Sequence, residues 1–227
     1  MPKTVGILGG MGPYAALDFA REVLRFTPAS RECDHIPTII YNNPSIPSRT
    51  RAFLYGESDP VPFMRQAVQG LVAAGAEIIA VPCNSAHYFL PEVMADVSTP
   101  YIDMIQEVKK TVLGRGWGRV GVLAGEVTVH ARLYDHALGE IGVRVDHVCP
   151  DRQILVRKVI EAVKLDYNSE AEINLMIELL NSLSEAGVDG VILGCTELQA
   201  SMPSSELPVP VIDSVRTLAL SVVSAAT

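Results

Sequence analysis

Residues 74–84 read AGAEIIAVPCN and residues 186–196 read AGVDGVILGCT, so one pattern occurs twice in this chain. In each copy an Ala-Gly pair precedes a short apolar run that ends at a cysteine, Cys83 or Cys195. Two further matches occur in the same order, residues 5–8 (VGIL) with 120–123 (VGVL) and residues 100–103 (PYID) with 210–213 (PVID). Three ordered matches at nearly constant spacing predict an internal duplication.

Short apolar runs rich in Val and Ile alternate with helical segments along both halves, which predicts an α/β fold with parallel sheets covered on both faces. Strands are expected at residues 5–8, 38–41, 78–81, 120–123, 143–148 and 191–193, and helices at 13–25, 61–74, 128–138 and 215–223. A further helix should follow a capping box formed by Ser169 and Glu172. We therefore expect two similar, flavodoxin-like domains: residues 1–100 with 213–227, and residues 101–212.

Composition narrows the possible functions. The formal net charge is −8, which argues against nucleic-acid binding and against an anionic membrane surface as a partner. No apolar run reaches the roughly 20 residues of a membrane span, and the glycine-interrupted start does not resemble a signal peptide, so a cytoplasmic protein is expected. The four cysteines form no C-x-x-C pair, which argues against a metal site.

The positions of two cysteines suggest a catalytic role. Ligand sites in open parallel sheets lie beyond the carboxyl ends of the strands, where Cys83 and Cys195 both fall. If the two domains face each other across a cleft, the thiols approach one ligand from opposite sides, as racemisation requires. The other two cysteines, Cys33 and Cys149, follow no predicted strand into a loop, so we expect them to be small buried residues.

Three motifs resemble the aspartate/glutamate racemases, and the similarity extends over essentially the whole chain. They are GILGGMGP at residues 6–13, PCNSAH at 82–87 and GCTEL at 194–198, and the likeness is greatest to the aspartate racemase branch. The resemblance implies a cofactor-independent, two-base reaction in which Cys83 and Cys195 move the Cα proton. It also implies a small acidic amino acid, aspartate or glutamate, as substrate, and a homodimer.

The same resemblance assigns the other site residues. Arg49 and Lys164 match the family's carboxylate-binding cations, while Arg51 is a weaker candidate. The expected substrate contacts are completed by the following residues: Met11, Asn84, Ser85, Ala86, Thr128, Thr196 and Glu197. His87 has either a structural role or an influence on Cys83.

One loop departs from the family pattern. Residues 125–128 read Gly-Glu-Val-Thr where aspartate racemases typically have Thr-Thr-Gly-Thr, and Ala131-Arg132 replaces the usual Ser-Gly. Glu126 would bring a negative charge and Arg132 a positive charge near the expected site. These changes leave the identity of the substrate open.

Three other functions are compatible with parts of the sequence. Residues 10–15 fit G-x-G-x-x-A, which allows a nicotinamide oxidoreductase, but residues 40–43 (IYNN) lack the acid expected to bind ribose. A cysteine hydrolase with His87 as its base would leave one cysteine without a role. The third alternative is a non-catalytic protein that binds acidic amino acids.

Overall fold

The computed structural model describes residues 2–165, 169–204 and 206–227. It contains two four-stranded sheets whose strands are all parallel. The first has the order β2-β1-β3-β4 and the second the order β6-β5-β7-β8. The strands are β1 (Val5–Gly9), β2 (Thr38–Asn42), β3 (Ile78–Ala80), β4 (Tyr101–Ile102), β5 (Arg119–Ala124), β6 (Arg144–His147), β7 (Gly190–Gly194) and β8 (Val211–Asp213). The predicted α/β class with two parallel sheets is confirmed.

The duplication extends to the pairing register. In the first sheet Gly6 is opposite Ile79, and in the second sheet Gly121 is opposite Val191. These are the residues that the sequence repeat equates. The outer pairings agree as well, with Ile79 opposite Tyr101 and Val191 opposite Val211. The two sheets therefore present equivalent strand ends at equivalent positions.

Helices connect the strands in both halves. They are α1 (Pro13–Phe26), α2 (Arg49–Tyr55), α3 (Val61–Ala73), α4 (Leu90–Val93), α5 (Met104–Arg115), α6 (Glu126–His130), α7 (Leu133–Gly139), α8 (Pro150–Lys164), α9 (Glu170–Glu185) and α10 (Ser214–Ala226). The predicted capping box is present at the start of α9, where the Ser169 hydroxyl accepts the N–H of Ala171 and the Glu172 carboxylate accepts the N–H of Ser169. None of the described helices has the length and hydrophobicity of a bilayer span.

The chain divides into two compact units, residues 1–107 with 215–227 and residues 108–214. The expected limits were residues 100 and 213. The unit limits fall later in the chain because Tyr101–Ile102 pairs with β3 of the first sheet and Val211–Asp213 pairs with β7 of the second. Helix α10 belongs to the first unit, where Leu218 and Val222 are fully buried.

The first unit has an apolar core on each face of its sheet. Alternate residues of β1 point to opposite faces, so Ile7 packs with Phe19 of α1 and Leu218 of α10, whereas Leu8 packs with Met64 and Leu71 of α3. Full burial of side chains of this size stabilises a fold by about 1.5–3 kcal/mol each. These cores fix the carboxyl end of β1 next to that of β3.

In the second unit, α8 and α9 cover one face of the sheet. Val156 and Val159 of α8 and Leu180 of α9 pack on Leu123 and Leu193, and all five are buried. The contact is close: a Cβ on Gly121 would lie 2.8 Å from the Leu183 side chain. This packing holds the end of α8 against the turn that follows β7.

Some expectations about local structure were wrong. The helix predicted at residues 128–138 is two helices, α6 and α7, separated at Arg132, which has a left-handed φ of 53°. Such a conformation costs a non-glycine residue about 1–2 kcal/mol, and no glycine or proline signals it in the sequence. Strand β2 is largely exposed rather than covered on both faces, because it is the edge strand of its sheet.

Candidate active site

The carboxyl edge of the first sheet carries the first cysteine. Cys83 lies just beyond β3 and precedes a 3-10 turn at residues 84–88. It is buried in one apolar cluster with Met11, Ile46 and Ala86. Three predicted site residues, Met11, Cys83 and Ala86, are therefore brought together in this unit, and Asn84 and half-buried Ser85 directly follow the thiol.

The loop that carries Met11 depends on Gly10. This glycine has a φ of +94°, and a Cβ at this position would lie 2.1 Å from the carbonyl oxygen of Asn43. The side chain of Asn42 also donates a hydrogen bond to the carbonyl of Pro13 at 3.2 Å. The loops after β1 and β2 are therefore held tightly together, which fixes Met11 beside Cys83.

Arg49, the predicted carboxylate ligand, begins α2 behind the N-cap Ser48. Its Nη1 atom donates to the carbonyl oxygens of Pro47 at 2.8 Å and Ile46 at 3.3 Å. Its Nε atom is buried without a hydrogen-bond partner, and no carboxylate in the described ranges forms an ion pair with it. Arg51 differs, because Glu57 already pairs with its guanidinium at 2.7 and 2.9 Å. Arg49 is thus the better anion ligand of the two.

His87 has a structural position. Its ring is buried, with Nδ1 2.9 Å from the carbonyl oxygen of Cys83 and Nε2 3.0 Å from the backbone nitrogen of Met104. Because the carbonyl can only accept and the N–H can only donate, the ring must be neutral with its proton on Nδ1. Both ring nitrogens are therefore occupied, which contradicts the hydrolase hypothesis in which His87 is a base for the thiol.

The carboxyl edge of the second sheet repeats the arrangement. Cys195 follows β7 and precedes a 3-10 turn at residues 196–201. Its Sγ donates a hydrogen bond to Oε2 of Glu197 at 3.0 Å, and the Thr196 hydroxyl donates to the same oxygen at 2.9 Å. Gly194 is required before the cysteine, since a Cβ there would lie 2.9 Å from the Tyr134 ring.

The surroundings of Cys195 keep it protonated. Burial raises the pKa of the thiol well above its usual value, and the negative charge of Glu197 raises it further. The positive charge of Lys164, at the end of α8, acts in the opposite direction and lowers this pKa. Three predicted site residues, Lys164, Cys195 and Glu197, thus lie within electrostatic range of one another.

The loop after β5, residues 125–128, carries the negative charge of Glu126, and a neighbouring arginine pairs with it. Ala124 is opposite Gly194 in the sheet, so Glu126 and Cys195 follow neighbouring strand ends. Arg157 of α8 donates to the Glu126 carboxylate at 3.2 Å, so this negative charge is neutralised within the unit. Arg132 is largely exposed and pairs with Asp135 at 3.5 Å. The predicted contact Thr128 is buried within α6.

The two remaining cysteines do not have the predicted burial, because both Cys33 and Cys149 are exposed free thiols. Cys149 also follows strand β6, contrary to expectation, and is the N-cap of α8. The strand predicted at residues 143–148 ended directly before Cys149, so the sequence did place this cysteine after a strand; only its exposure had no sequence signal.

Fold and site together define a class: a duplicated α/β protein with one cysteine beyond the equivalent inner strand of each sheet. The Asp/Glu/Hydantoin racemase family model matches residues 8–222. The chain belongs to this family of racemases.

Individual relatives agree with this classification. The broad specificity amino-acid racemase RacX of Bacillus subtilis is 29% identical over 97% of this chain and 96% of its own length. The structure of an aspartate racemase from Picrophilus torridus superposes with a TM-score of 0.89 at 28% identity, covering 99% of this chain and 94% of that one. A glutamate racemase from Deinococcus radiodurans is 33% identical over 58% of this chain, which corresponds to 45% of that enzyme.

Proposed function

We propose that this protein racemises acidic amino acids by moving the Cα proton between Cys83 and Cys195, without a cofactor. The observation that carries the proposal is the duplicated register, which ends in a free cysteine beyond the same inner strand of each sheet. A racemase needs one group to remove the proton and a second to return it to the opposite face. Two equivalent thiols on duplicated units provide such a pair.

The proton transfer is a two-base reaction. One cysteine, as the thiolate, takes the α-proton and becomes a thiol, while the other, as the thiol, gives its proton to the carbanion and becomes a thiolate. The α-proton of an amino acid is far less acidic than a thiol, so the carbanion must be stabilised by hydrogen bonds and positive charge. Residues 84–86 and Thr196, in the turns directly after the cysteines, are the proposed ligands of the α-carboxylate.

Preference for an acidic substrate rests on two cations. Arg49 has a buried Nε atom with no hydrogen-bond partner, and Lys164 acts electrostatically on Cys195. A second carboxylate on the substrate would complete the hydrogen bonds of Arg49, and a charge-assisted bond of this kind contributes about 1.5–3 kcal/mol. Met11, Thr128 and Glu197 are proposed to shape the remaining substrate contacts.

A panel of amino acids tests the proposal. The purified protein, dialysed against hydroxylamine to remove any pyridoxal phosphate, is incubated with each enantiomer of aspartate, glutamate, alanine and lysine, and products are separated by chiral chromatography. We expect racemisation of aspartate and glutamate to be fastest. Faster turnover of alanine or lysine would contradict the acidic preference, and no turnover of any of the eight would contradict the racemase assignment.

We also propose a homodimer in the cytoplasm. Tyr14, Leu17 and Leu24 lie along one side of α1 and are exposed, and Ile40 is exposed on the edge strand β2, which contacts α1. A second copy covering this apolar surface would remove it from water. The free thiols suit a reducing compartment. Light scattering after size exclusion should give twice the chain mass of 24.5 kDa.

A further inference from the structure

The two cysteines have different neighbours despite the duplication. In the second unit Glu197 is buried, and its Oε2 atom accepts the Sγ–H of Cys195 at 3.0 Å and the hydroxyl of Thr196 at 2.9 Å. The sequence repeat equates Glu197 with Ser85, which follows Cys83 at the same spacing. The turn after Cys195 therefore carries an acceptor with a negative charge at a position where the turn after Cys83 carries a hydroxyl.

The elements packed around Cys195 leave Glu197 as the main polar partner of its proton. Helix α9 contributes apolar side chains, including Met176 and Leu180, to the cluster that Cys195 borders. Helix α8 contributes the positive charge of Lys164. Lys164 favours the thiolate of Cys195 whereas Glu197 favours the thiol, so the two charges act on the sulfur in opposite directions.

We propose that Glu197 is a positioning residue that holds the proton on Cys195, so that in the resting enzyme Cys195 is the acid and Cys83 is the base for the enantiomer whose α-proton faces Cys83. The inference rests on the proposed function. When Cys83 takes the α-proton, an S–H bond forms on Cys83 and the C–H bond of the substrate breaks. The Sγ–H bond of Cys195 then breaks as its proton forms the new C–H bond, which leaves Cys195 as the thiolate. The opposite enantiomer reacts by the same steps in reverse, with Cys195 as the base, and no atom changes oxidation state.

The pH dependence of alkylation tests this claim without requiring turnover. Wild-type protein and the variants Glu197→Gln and Glu185→Gln are treated with iodoacetamide at a series of pH values, and modification of Cys195 is measured by peptide mass spectrometry. Glu185 is an exposed residue at the end of α9, so its variant makes the same charge change as a control. Only the thiolate reacts, so the alkylation rate reports the protonation of the sulfur.

We expect Glu197→Gln to shift the Cys195 profile to lower pH by about one unit, which makes alkylation near neutral pH about tenfold faster. The Glu185→Gln profile should coincide with that of the wild type. If Glu197→Gln does not fold, Glu197→Asp retracts the carboxylate and should give a smaller shift in the same direction. A Cys195 profile that does not move in the folded variant overturns the inference.

Turnover gives a second readout that separates the two proposals. Enantiomers have equal free energies, so kcat/KM must remain equal in the two directions for every variant, and the informative quantity is its pH profile. In Glu197→Gln the limb at high pH, where the thiol is lost, should move to lower pH. A wild-type protein that racemises nothing refutes the proposed function, whereas an active enzyme with unmoved alkylation and pH profiles refutes only the role of Glu197.

Discussion

The imidazole of His87 accepts the backbone N–H of Met104 at 3.0 Å, and its opposite nitrogen lies 2.9 Å from the carbonyl of Cys83. This buried ring thereby joins the turn that carries the thiol to the first residue of α5. The same helix start is capped by Asp103, whose carboxylate accepts the N–H of Ile105 at 2.8 Å. The position of Cys83 thus depends on a neutral histidine.

Stability should depend on the protonation of His87. Burial lowers the pKa of His87, and the nearby negative charge of Asp103 only partly opposes this. The unfolded chain therefore binds a proton at this histidine more readily than the folded protein does. The stabilisation of the fold by neutral His87 is complete above about pH 6.5. As the pH falls below this value, the free energy of unfolding decreases by up to about 1.4 kcal/mol per pH unit. Urea unfolding at pH 7.5 and 5.5 should show this loss in the wild type and in the exposed control His130→Gln, but a smaller loss in His87→Gln. Equal losses in all three would contradict the assignment.

Removing the charge of Arg49 should lower kcat/KM for acidic substrates more than for neutral ones. In Arg49→Gln we expect kcat/KM for aspartate to fall by about 10- to 150-fold, corresponding to a charge-assisted hydrogen bond of about 1.5–3 kcal/mol. Arg51→Gln is the matched control, because Glu57 already occupies that guanidinium. Steady-state kinetics on aspartate and alanine checks this, and an equal loss on both substrates would show that Arg49 does not bind the second carboxylate.

Breaking the pair between Arg157 and Glu126 should expose a negative charge at the edge of the second sheet. The two side chains lie 3.2 Å apart, so Arg157→Gln should raise KM for aspartate by roughly 3- to 10-fold through repulsion, about 0.6–1.4 kcal/mol. The double variant with Glu126→Gln should recover most of this loss. Arg152 of the same helix pairs with Glu178 at 3.8 Å rather than with Glu126, so Arg152→Gln should leave KM for aspartate unchanged. If KM for aspartate stays high in the double variant, Arg157 does not act by neutralising Glu126.

Gly10 and Gly114 should respond in opposite ways to alanine. At Gly10 a Cβ would meet the backbone of Asn43 at 2.1 Å and φ is +94°, so we expect Gly10→Ala to destabilise by more than about 2 kcal/mol. Gly114 lies in α5, where an added Cβ would meet no atom within 4 Å, so Gly114→Ala should stabilise by about 0.5–1 kcal/mol. Chemical denaturation measures both, and an unchanged Gly10→Ala would contradict the close approach of the two loops.

The duplication made the fold predictable, because the repeat matched the pairing register as well as the order of strands. The strand ends beyond which Cys83 and Cys195 lie followed from the same alignment. Other features had no local signal. The break at Arg132 involves no glycine, and the exposure of β2 depends on its position at the edge of the sheet, which its apolar sequence does not encode.

The hydrogen bonds of the site could not be predicted from the sequence and became visible only in the structure. Sequence motifs could mark His87 and Glu197 as noteworthy but could not separate a structural role from a chemical one. Both assignments depend on distances of about 3 Å between atoms whose separation is set by tertiary packing. The compensation of Glu126 by Arg157 is a further case, since these residues lie on different helices.

Proton NMR in D₂O with single cysteine variants tests the central claim most directly. Wild-type protein should replace the α-proton of L- and D-aspartate with deuterium while forming the opposite enantiomer. Cys83→Ala and Cys195→Ala should each lose racemisation, and each should retain exchange with at most one enantiomer. A variant lacking the exposed Cys33 and Cys149 should behave as the wild type. Racemisation at the wild-type rate by either Cys83→Ala or Cys195→Ala would contradict the two-cysteine mechanism.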